Sequence, residues 1–77
     1  MIATGLQIRM ARAGLRMSGK ELAEAVGVGL STIRKVEATD GLPSVHTTNL
    51  QQITSYLLST GRVRFEGDDG VFVDDER

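Results

Sequence analysis

The chain has 77 residues, 40% of them hydrophobic, no cysteine and a formal net charge of −1, which predicts one small domain near the lower limit for a self-sufficient core. Without cysteine it can form neither disulfides nor thiolate metal sites, and a reducing cytoplasm is the expected compartment. Neither an apolar run of about eighteen residues nor a secretory signal pattern is visible, so we expect no membrane partner.

The first predicted helix follows Thr4, which can act as its N-cap, and runs to about Gly14. Its apolar pattern has helical spacing, so one side of the helix should be buried. The residues expected on that side are Leu6, Ile8 (or Gln7), Met10 and Ala13.

Two short helices joined by a tight turn follow. Ser18 caps the first of them, Glu21 stands at the capping-box spacing, and Gly27 can adopt the left-handed conformation that ends a helix. The next helix starts near Gly29 and runs to about Ala38. The side chains expected on one side of this pair are those of Leu22, Ala23, Val26, Val28, Ile33 and Val36. Two helices joined in this way at roughly a right angle form a helix-turn-helix, whose second helix enters the DNA major groove.

This pair of helices resembles the Cro/repressor-type (XRE) helix-turn-helix family of bacterial and phage transcription regulators. The positions that carry the resemblance are Ser18, Glu21, Leu22, Ala23, Gly27, Val28, Ser31, Thr32, Ile33, Val36 and Glu37, with Arg12 and Pro43 on either side. The resemblance implies a mainly α, four-helix, lambda-repressor-like domain that binds a palindromic operator on double-stranded DNA as a homodimer. It also implies an ion pair between Arg12 and Glu37; two exposed, unpaired charges are the alternative.

The same resemblance implies which side chains meet DNA. The candidates on the third helix are Leu30, Ser31, Arg34 and Lys35, with Thr32 nearby. Arg34 and Lys35 can donate to guanine O6 and N7, and Ser31 can serve a base or a phosphate. Leu30 can contact a thymine methyl, or it can instead cover the neighbouring helix. The candidates for phosphate contact are Gly19, which stands where the family usually has glutamine, Lys20 and Arg9.

A fourth helix is predicted from about residues 45–48 to Gly61, its expected C-cap. Its buried side should consist of Leu50, Ile53, Leu57 and either Tyr56 or Leu58. Beyond Gly61 the apolar period changes to 2, and the segment Gly67–Gly70 separates two alternating runs. This pattern predicts a short β-hairpin followed by a frayed terminus. The expected organisation is therefore a DNA-binding domain at 1–61 and a C-terminal hairpin with an acidic tail at 62–77.

The hairpin is the expected dimer contact, because two strands alone are marginally stable in water. The residues assigned to this contact are Val63, Phe65, Val71, Phe72 and Val73, with Asp68, Asp69, Asp74 and Asp75 solvating the rim. The alternative is that the hairpin folds back on the fourth helix of its own chain.

The charge is distributed unevenly along the chain. Residues 1–62 hold seven Lys and Arg against four Asp and Glu, whereas residues 63–77 hold two against six. This asymmetry is consistent with a nucleic-acid face kept apart from an acidic end, although a solvated tail without a role gives the same pattern.

We therefore expect a transcription regulator, such as a repressor of the phage or mobile-element type. Neither an enzyme activity nor a metal or cofactor is expected, because His46 is the only histidine and no nucleophile pattern surrounds it. The alternative function is a protein-binding module on the same fold, antiactivator or antitoxin-like, whose acidic C-terminal segment docks a basic partner protein.

Overall fold

The computed structural model describes residues 1–74, which form four helices followed by a two-stranded antiparallel hairpin. The elements are α1 (Gly5–Gly14), α2 (Gly19–Val26), α3 (Leu30–Glu37), α4 (Thr47–Ser59), β1 (Val63–Glu66) and β2 (Gly70–Val73). The mainly helical class, the order of the helices and the terminal hairpin agree with the sequence prediction. Residues 75–77, which include most of the predicted frayed terminus and the rim residue Asp75, lie outside the described residues.

Reciprocal capping boxes begin both of the first two helices. At α1, the Thr4 hydroxyl accepts the Gln7 N–H at 3.2 Å, and Gln7 Oε1 accepts the Thr4 N–H at 3.0 Å. At α2, Ser18 and Glu21 exchange the equivalent bonds at 3.0 and 2.8 Å. Each box satisfies backbone donors that a helix start leaves unpaired. The sequence predicted both N-caps and the Glu21 partner, but not the Gln7 partner.

Left-handed glycines follow the second and fourth helices. Gly27 has a φ of 86° and its N–H donates to the Ala23 carbonyl at 2.8 Å, so it ends α2 as predicted. At α4 the C-cap is Thr60, which keeps a right-handed backbone, and Gly61 follows it with a φ of 71°. The predicted cap position was therefore one residue too late.

The core is aliphatic and lies between the four helices and β1. Its members are Ala3, Ile8, Ala11, Leu15, Leu22, Ala23, Ile33, Val36, Leu50, Ile53, Leu57, Val63 and Phe65. The predicted buried side of α1 was partly wrong, because Met10 and Ala13 are exposed whereas Gln7, Ile8 and Ala11 are buried. Gln7 faces inward because its side chain is bonded to the hairpin. On α4, Tyr56 is the half-buried residue and Leu58 is exposed.

The hairpin packs on its own chain, which corrects the assignment of all its apolar residues to a dimer contact. Val63 pairs with Val73 and Phe65 with Val71 across the strands. Val63 and Phe65 lie in the core, and Val71 and Val73 are half-buried against it. The hairpin contacts α1 through β2 and α4 through β1, so it folds back on two helices rather than on α4 alone.

Close approach to Gly14 explains how β2 reaches α1. A Cβ built on Gly14 would stand only 2.8 Å from Val73 Cγ2, so β2 can pack this close to α1 only because Gly14 has no side chain.

Of the five apolar residues assigned to dimerisation, only Phe72 is exposed, at 52%. The Arg64 guanidinium covers part of its ring, with Cζ 4.7 Å from the ring centroid.

Candidate nucleic-acid interface

The second and third helices form a unit whose inner side is apolar. Only residues 27–29 separate α2 from α3, and the two helices pack directly on each other. Ile33 and Val36 of α3 are 1% and 0% exposed, and Leu22 of α2 is fully buried in the same core. Burial of this side fixes the rotation of α3 about its own axis, and hence which residues face solvent.

The outer side of α3 is polar and basic. Ser31, Arg34 and Lys35 are all exposed. Their spacing of three and four residues puts them on the same face of the helix. Thr32 is half-buried, and Lys20 is exposed in the first turn of α2. The structure thus brings together three of the candidates named from the sequence as one exposed face.

Leu30 has a packing role. It is half-buried against the core, as its alternative interpretation expected. A Cβ built on Gly19 would meet Leu30 Cδ1 at 3.5 Å, an ordinary van der Waals distance. Gly19 and Leu30 are therefore neighbours where α2 and α3 begin, and an alanine at position 19 would fit without displacing α3.

An ion pair holds the C-terminal end of α3. Arg12 Nε lies 2.7 Å from Glu37 Oε2, and these side chains are only 21% and 13% exposed. The Arg12 guanidinium also donates to the Met17 carbonyl at 2.7 Å. Arg12 thereby joins three segments, namely α1, the linker before α2 and the end of α3. The ion pair implied by the family resemblance is present.

Arg9 is engaged at the same end of α3, and its assignment to a phosphate stays a prediction. Its guanidinium donates to the Glu37 carbonyl at 2.6 Å and to the Asp40 carboxylate at 3.0 Å. A cation at a helix C-terminus is stabilised by the unpaired carbonyls there. We therefore assign Arg9 to holding α3 and the segment that follows it.

Sequence reasoning missed an open groove beside the exposed face of α3. The groove has a volume of about 420 Å³ and lies between α3 and the start of α4. Its lining consists of Thr32, Lys35, Ser44, Val45, His46 and Asn49. His46 is the N-cap of α4, but its side chain accepts no hydrogen bond from the first backbone N–H groups of that helix. The polar run after Pro43, directly before a predicted helix, was the signal that could have identified this groove.

Comparison with known proteins yields no relative: no protein-family model, curated protein or solved structure matches the chain. The family resemblance of the sequence therefore stays a prediction.

Among residues 1–74, no helix combines the length and apolar character needed to cross a membrane. The same part of the chain contains no cluster of three or more histidine or acidic side chains placed to hold a metal ion.

Proposed function

We propose that the chain is a sequence-specific, double-stranded DNA-binding transcription regulator in which α2 and α3 act as a helix-turn-helix. The observation that carries the proposal is the exposed face of Ser31, Arg34 and Lys35 on a helix whose opposite side is buried and whose C-terminal end is held by Arg12 and Arg9. The DNA major groove, about 12 Å wide, admits such a helix. A recognition helix must be held rigidly, because base contacts depend on side-chain positions.

Each side chain of this face has a role in the proposal. Arg34 and Lys35 donate to the acceptor atoms of guanine, and Ser31, in the first turn of α3, bonds to a base or a phosphate. The groove beside α3 would receive a backbone phosphate from the same DNA, between Lys35, His46 and the first amides of α4. Phosphate contacts of this kind position a protein on the duplex, while the base contacts of α3 supply specificity.

We further infer that two copies bind a palindromic operator. Half-sites would then lie about 34 Å apart, or a multiple of this distance, because both recognition helices must meet one side of the duplex. Since Val63 and Phe65 are buried in their own chain, the contact between copies would involve the outer side of the hairpin, where Phe72 is exposed. The charge distribution supports this arrangement, because residues 1–62 carry three excess positive charges and residues 63–77 four excess negative ones.

Mobility-shift titration with the DNA upstream of the chain's own gene tests the proposal. Arg34→Ala or Lys35→Ala should weaken binding by about 1–3 kcal/mol and relax sequence preference at one base pair, because each removes a base contact. Gln52→Ala is the control, since Gln52 is exposed on α4 and belongs neither to α3 nor to the hairpin. Unchanged affinity in both α3 variants would exclude α3 as the recognition helix.

The salt dependence of binding separates the proposal from a protein-binding module. For a DNA-binding protein, the logarithm of affinity should fall with the logarithm of salt concentration by about 0.9 per neutralised phosphate. Lys20→Ala should reduce the slope while leaving sequence preference unchanged, because a phosphate contact carries no base information. A flat salt dependence, or no binding to any duplex, would favour the protein-binding alternative.

A further inference from the structure

A second groove lies beyond the C-terminal end of α3. It has a volume of about 490 Å³ and is formed by the start of α1, the segment 40–42 and the hairpin turn. Its apolar lining comes from Ile2, Leu6 and Leu42, and its acidic lining from Asp40, Asp68 and Asp69. Since α3 rises about 1.5 Å per residue, its eight residues put roughly 10 Å between this groove and the start of the proposed recognition helix. The groove and the exposed face of Ser31, Arg34 and Lys35 share no residue.

The apolar part of the groove is accessible. Leu42 is 68% exposed, although it is a large aliphatic residue, and Ile2 and Leu6 are half-buried beside it. Single exposed leucines are common on protein surfaces. Leu42 differs because it borders a concave site with other aliphatic side chains, which is the form that binding sites for apolar groups take.

Both walls of the groove are fixed to α1. On one wall, the Gly5 and Leu6 N–H groups donate to the carbonyls of Gly41 and Asp40 at 2.8 and 3.3 Å. On the other, the Thr4 hydroxyl donates to the Asp68 carbonyl at 2.7 Å. The turn is also held by Gln7 Nε2, which donates to the carbonyls at positions 67 and 70 at 2.9 and 3.0 Å. A preformed groove loses little conformational entropy when a ligand binds.

The charge of the rim identifies the kind of ligand. Asp40 pairs with Arg9, whereas neither Asp68 nor Asp69 has a cationic partner within residues 1–74. This negative rim repels nucleic acid and favours a cationic ligand. A second copy bound by two-fold symmetry through this groove would bring the same acidic rims together, which is unfavourable.

We propose that this groove docks a segment of a different protein that combines lysine or arginine with an aliphatic side chain. The aliphatic group lies against Ile2, Leu6 and Leu42, and the cations meet Asp68 and Asp69. This docking is additional to DNA binding and uses none of the exposed residues of α3. A partner bound in this way could join a protein–DNA complex without competing for DNA.

Backbone amide NMR of the full chain, titrated with a twelve-residue peptide of alternating lysine and leucine, tests the proposal. Two control peptides replace leucine by serine or lysine by glutamate. The lysine–leucine peptide should shift the amide signals of Leu6, Gly41, Leu42 and Asp69. Both control peptides should bind much more weakly, because one lacks the aliphatic side chains and the other lacks the cations. Shifts spread evenly over the acidic surface, or equal binding of the serine peptide, would overturn it.

Protein variants complete the test. The double variant D68N/D69N should weaken peptide binding about 1.4- to fivefold for each carboxylate removed, the range for exposed ion pairs. Leu42→Ser should also weaken it, and the exposure of Leu42 makes the fold insensitive to this change. Glu24→Gln, an exposed acid on α2, is the control and should bind the peptide normally.

Two further outcomes would overturn the proposal. Unchanged peptide affinity in D68N/D69N would show that the rim does not select the ligand. Concentration-dependent shifts of the groove amides without peptide, together with an increased mass in light scattering, would assign the groove to self-association. DNA affinity should not be weaker in D68N/D69N than in the unmodified chain, so failure of peptide docking is distinguishable from failure of the proposed DNA binding.

Discussion

The α2–α3 unit and the junction between α1 and the hairpin use polar side chains in opposite ways. In the α2–α3 unit the inner side is apolar, and the polar side chains of Ser31, Arg34 and Lys35 face solvent. At the junction the polar side chains face inward, and Gln7 and Thr4 are 1% and 6% exposed. The inward-facing side chains form hydrogen bonds within the chain, whereas the outward-facing side chains are available to bind a partner.

The junction tolerates its buried polar groups because they are satisfied. Within residues 1–74, no buried side-chain nitrogen or oxygen lacks a hydrogen-bond partner. Gln7 uses its carbonyl oxygen for the α1 capping box and its amide for two hairpin carbonyls. A buried network of this kind fixes geometry, because every alternative arrangement leaves a polar atom unpaired. The difference between the two regions leads to four predictions.

Gly5→Ala should have the largest effect, because it disrupts the contact that joins the start of α1 to the end of α3. A Cβ at this position would overlap the backbone carbonyls of Val36 and Thr39, which cannot move as a flexible side chain can. We expect a loss of more than about 3 kcal/mol of unfolding free energy, measured by urea denaturation. Gly41→Ala is the control, because a Cβ there meets nothing within 4 Å. Equal stability of the two variants would contradict the close approach.

Glu37→Ala tests the ion pair that joins α1 to the end of α3. The change leaves Arg12 largely buried without its carboxylate, and we expect a loss of about 3 kcal/mol, the low end for a broken buried pair. Arg64 and Glu66 form the control pair, 3.6 Å apart and at least 65% exposed, so Glu66→Gln should cost less than about 1 kcal/mol. Thermal unfolding of both variants measures the difference. A similar small loss in each would mean that Arg12 finds sufficient solvation elsewhere.

Gln7→Leu tests whether the two regions can be perturbed separately. The change keeps an apolar stem but leaves two hairpin carbonyls without donors, for an expected cost of about 1–3 kcal/mol. Backbone amide NMR should show changes in α1 and the hairpin, with little change in α3. Gln51→Leu, on the exposed side of α4, should be close to neutral. Changes of equal size in α3 would show that the junction and the α2–α3 unit are coupled.

Glu21→Gln should have the smallest effect and should depend on pH. The Ser18 backbone N–H, followed by the Ser18 hydroxyl, lowers the pKa of Glu21 below its ordinary value of 4.5. The charged carboxylate therefore adds stability at neutral pH, and this contribution is lost as the pH falls through the lowered pKa. Unfolding free energy followed from pH 7 to acid should fall less steeply in Glu21→Gln than in Glu24→Gln. Parallel curves would mean that the cap bond does not favour the charged form.

The sequence predicted the α2–α3 unit well because its signals are local. A capping residue, a partner three positions later and a glycine after the last turn all lie within one short segment, and each depends on backbone geometry alone. The Arg12–Glu37 pair is not local, and only the family resemblance indicated it. The choice of Ser31, Arg34 and Lys35 as DNA contacts likewise came from the family resemblance, and their exposure agrees with the apolar positions of α3.

The junction could not be predicted because its contacts join distant residues. Apolar periodicity put Met10 on the buried side of α1, whereas hydrogen bonds to residues 67 and 70 turn Gln7 inward. Arg9 was a candidate for a phosphate contact, and the sequence did not indicate its bonds to the α3 terminus and Asp40. Periodicity reports which residues are apolar, but it does not report which polar residues find partners across the fold.

The bonds that join the start of α1 to α4 and the hairpin turn also bear on the order of folding. Ala3 bonds to Thr54 over 51 positions, and Thr4 to Asp68 over 64. On the ribosome, the α2–α3 unit can assemble as soon as its own segment has emerged, whereas the start of α1 must wait until nearly all of residues 1–74 are available. Residues 3 and 4 are therefore made before the residues to which they bond, and these long-range contacts are completed only once α4 and the hairpin are available.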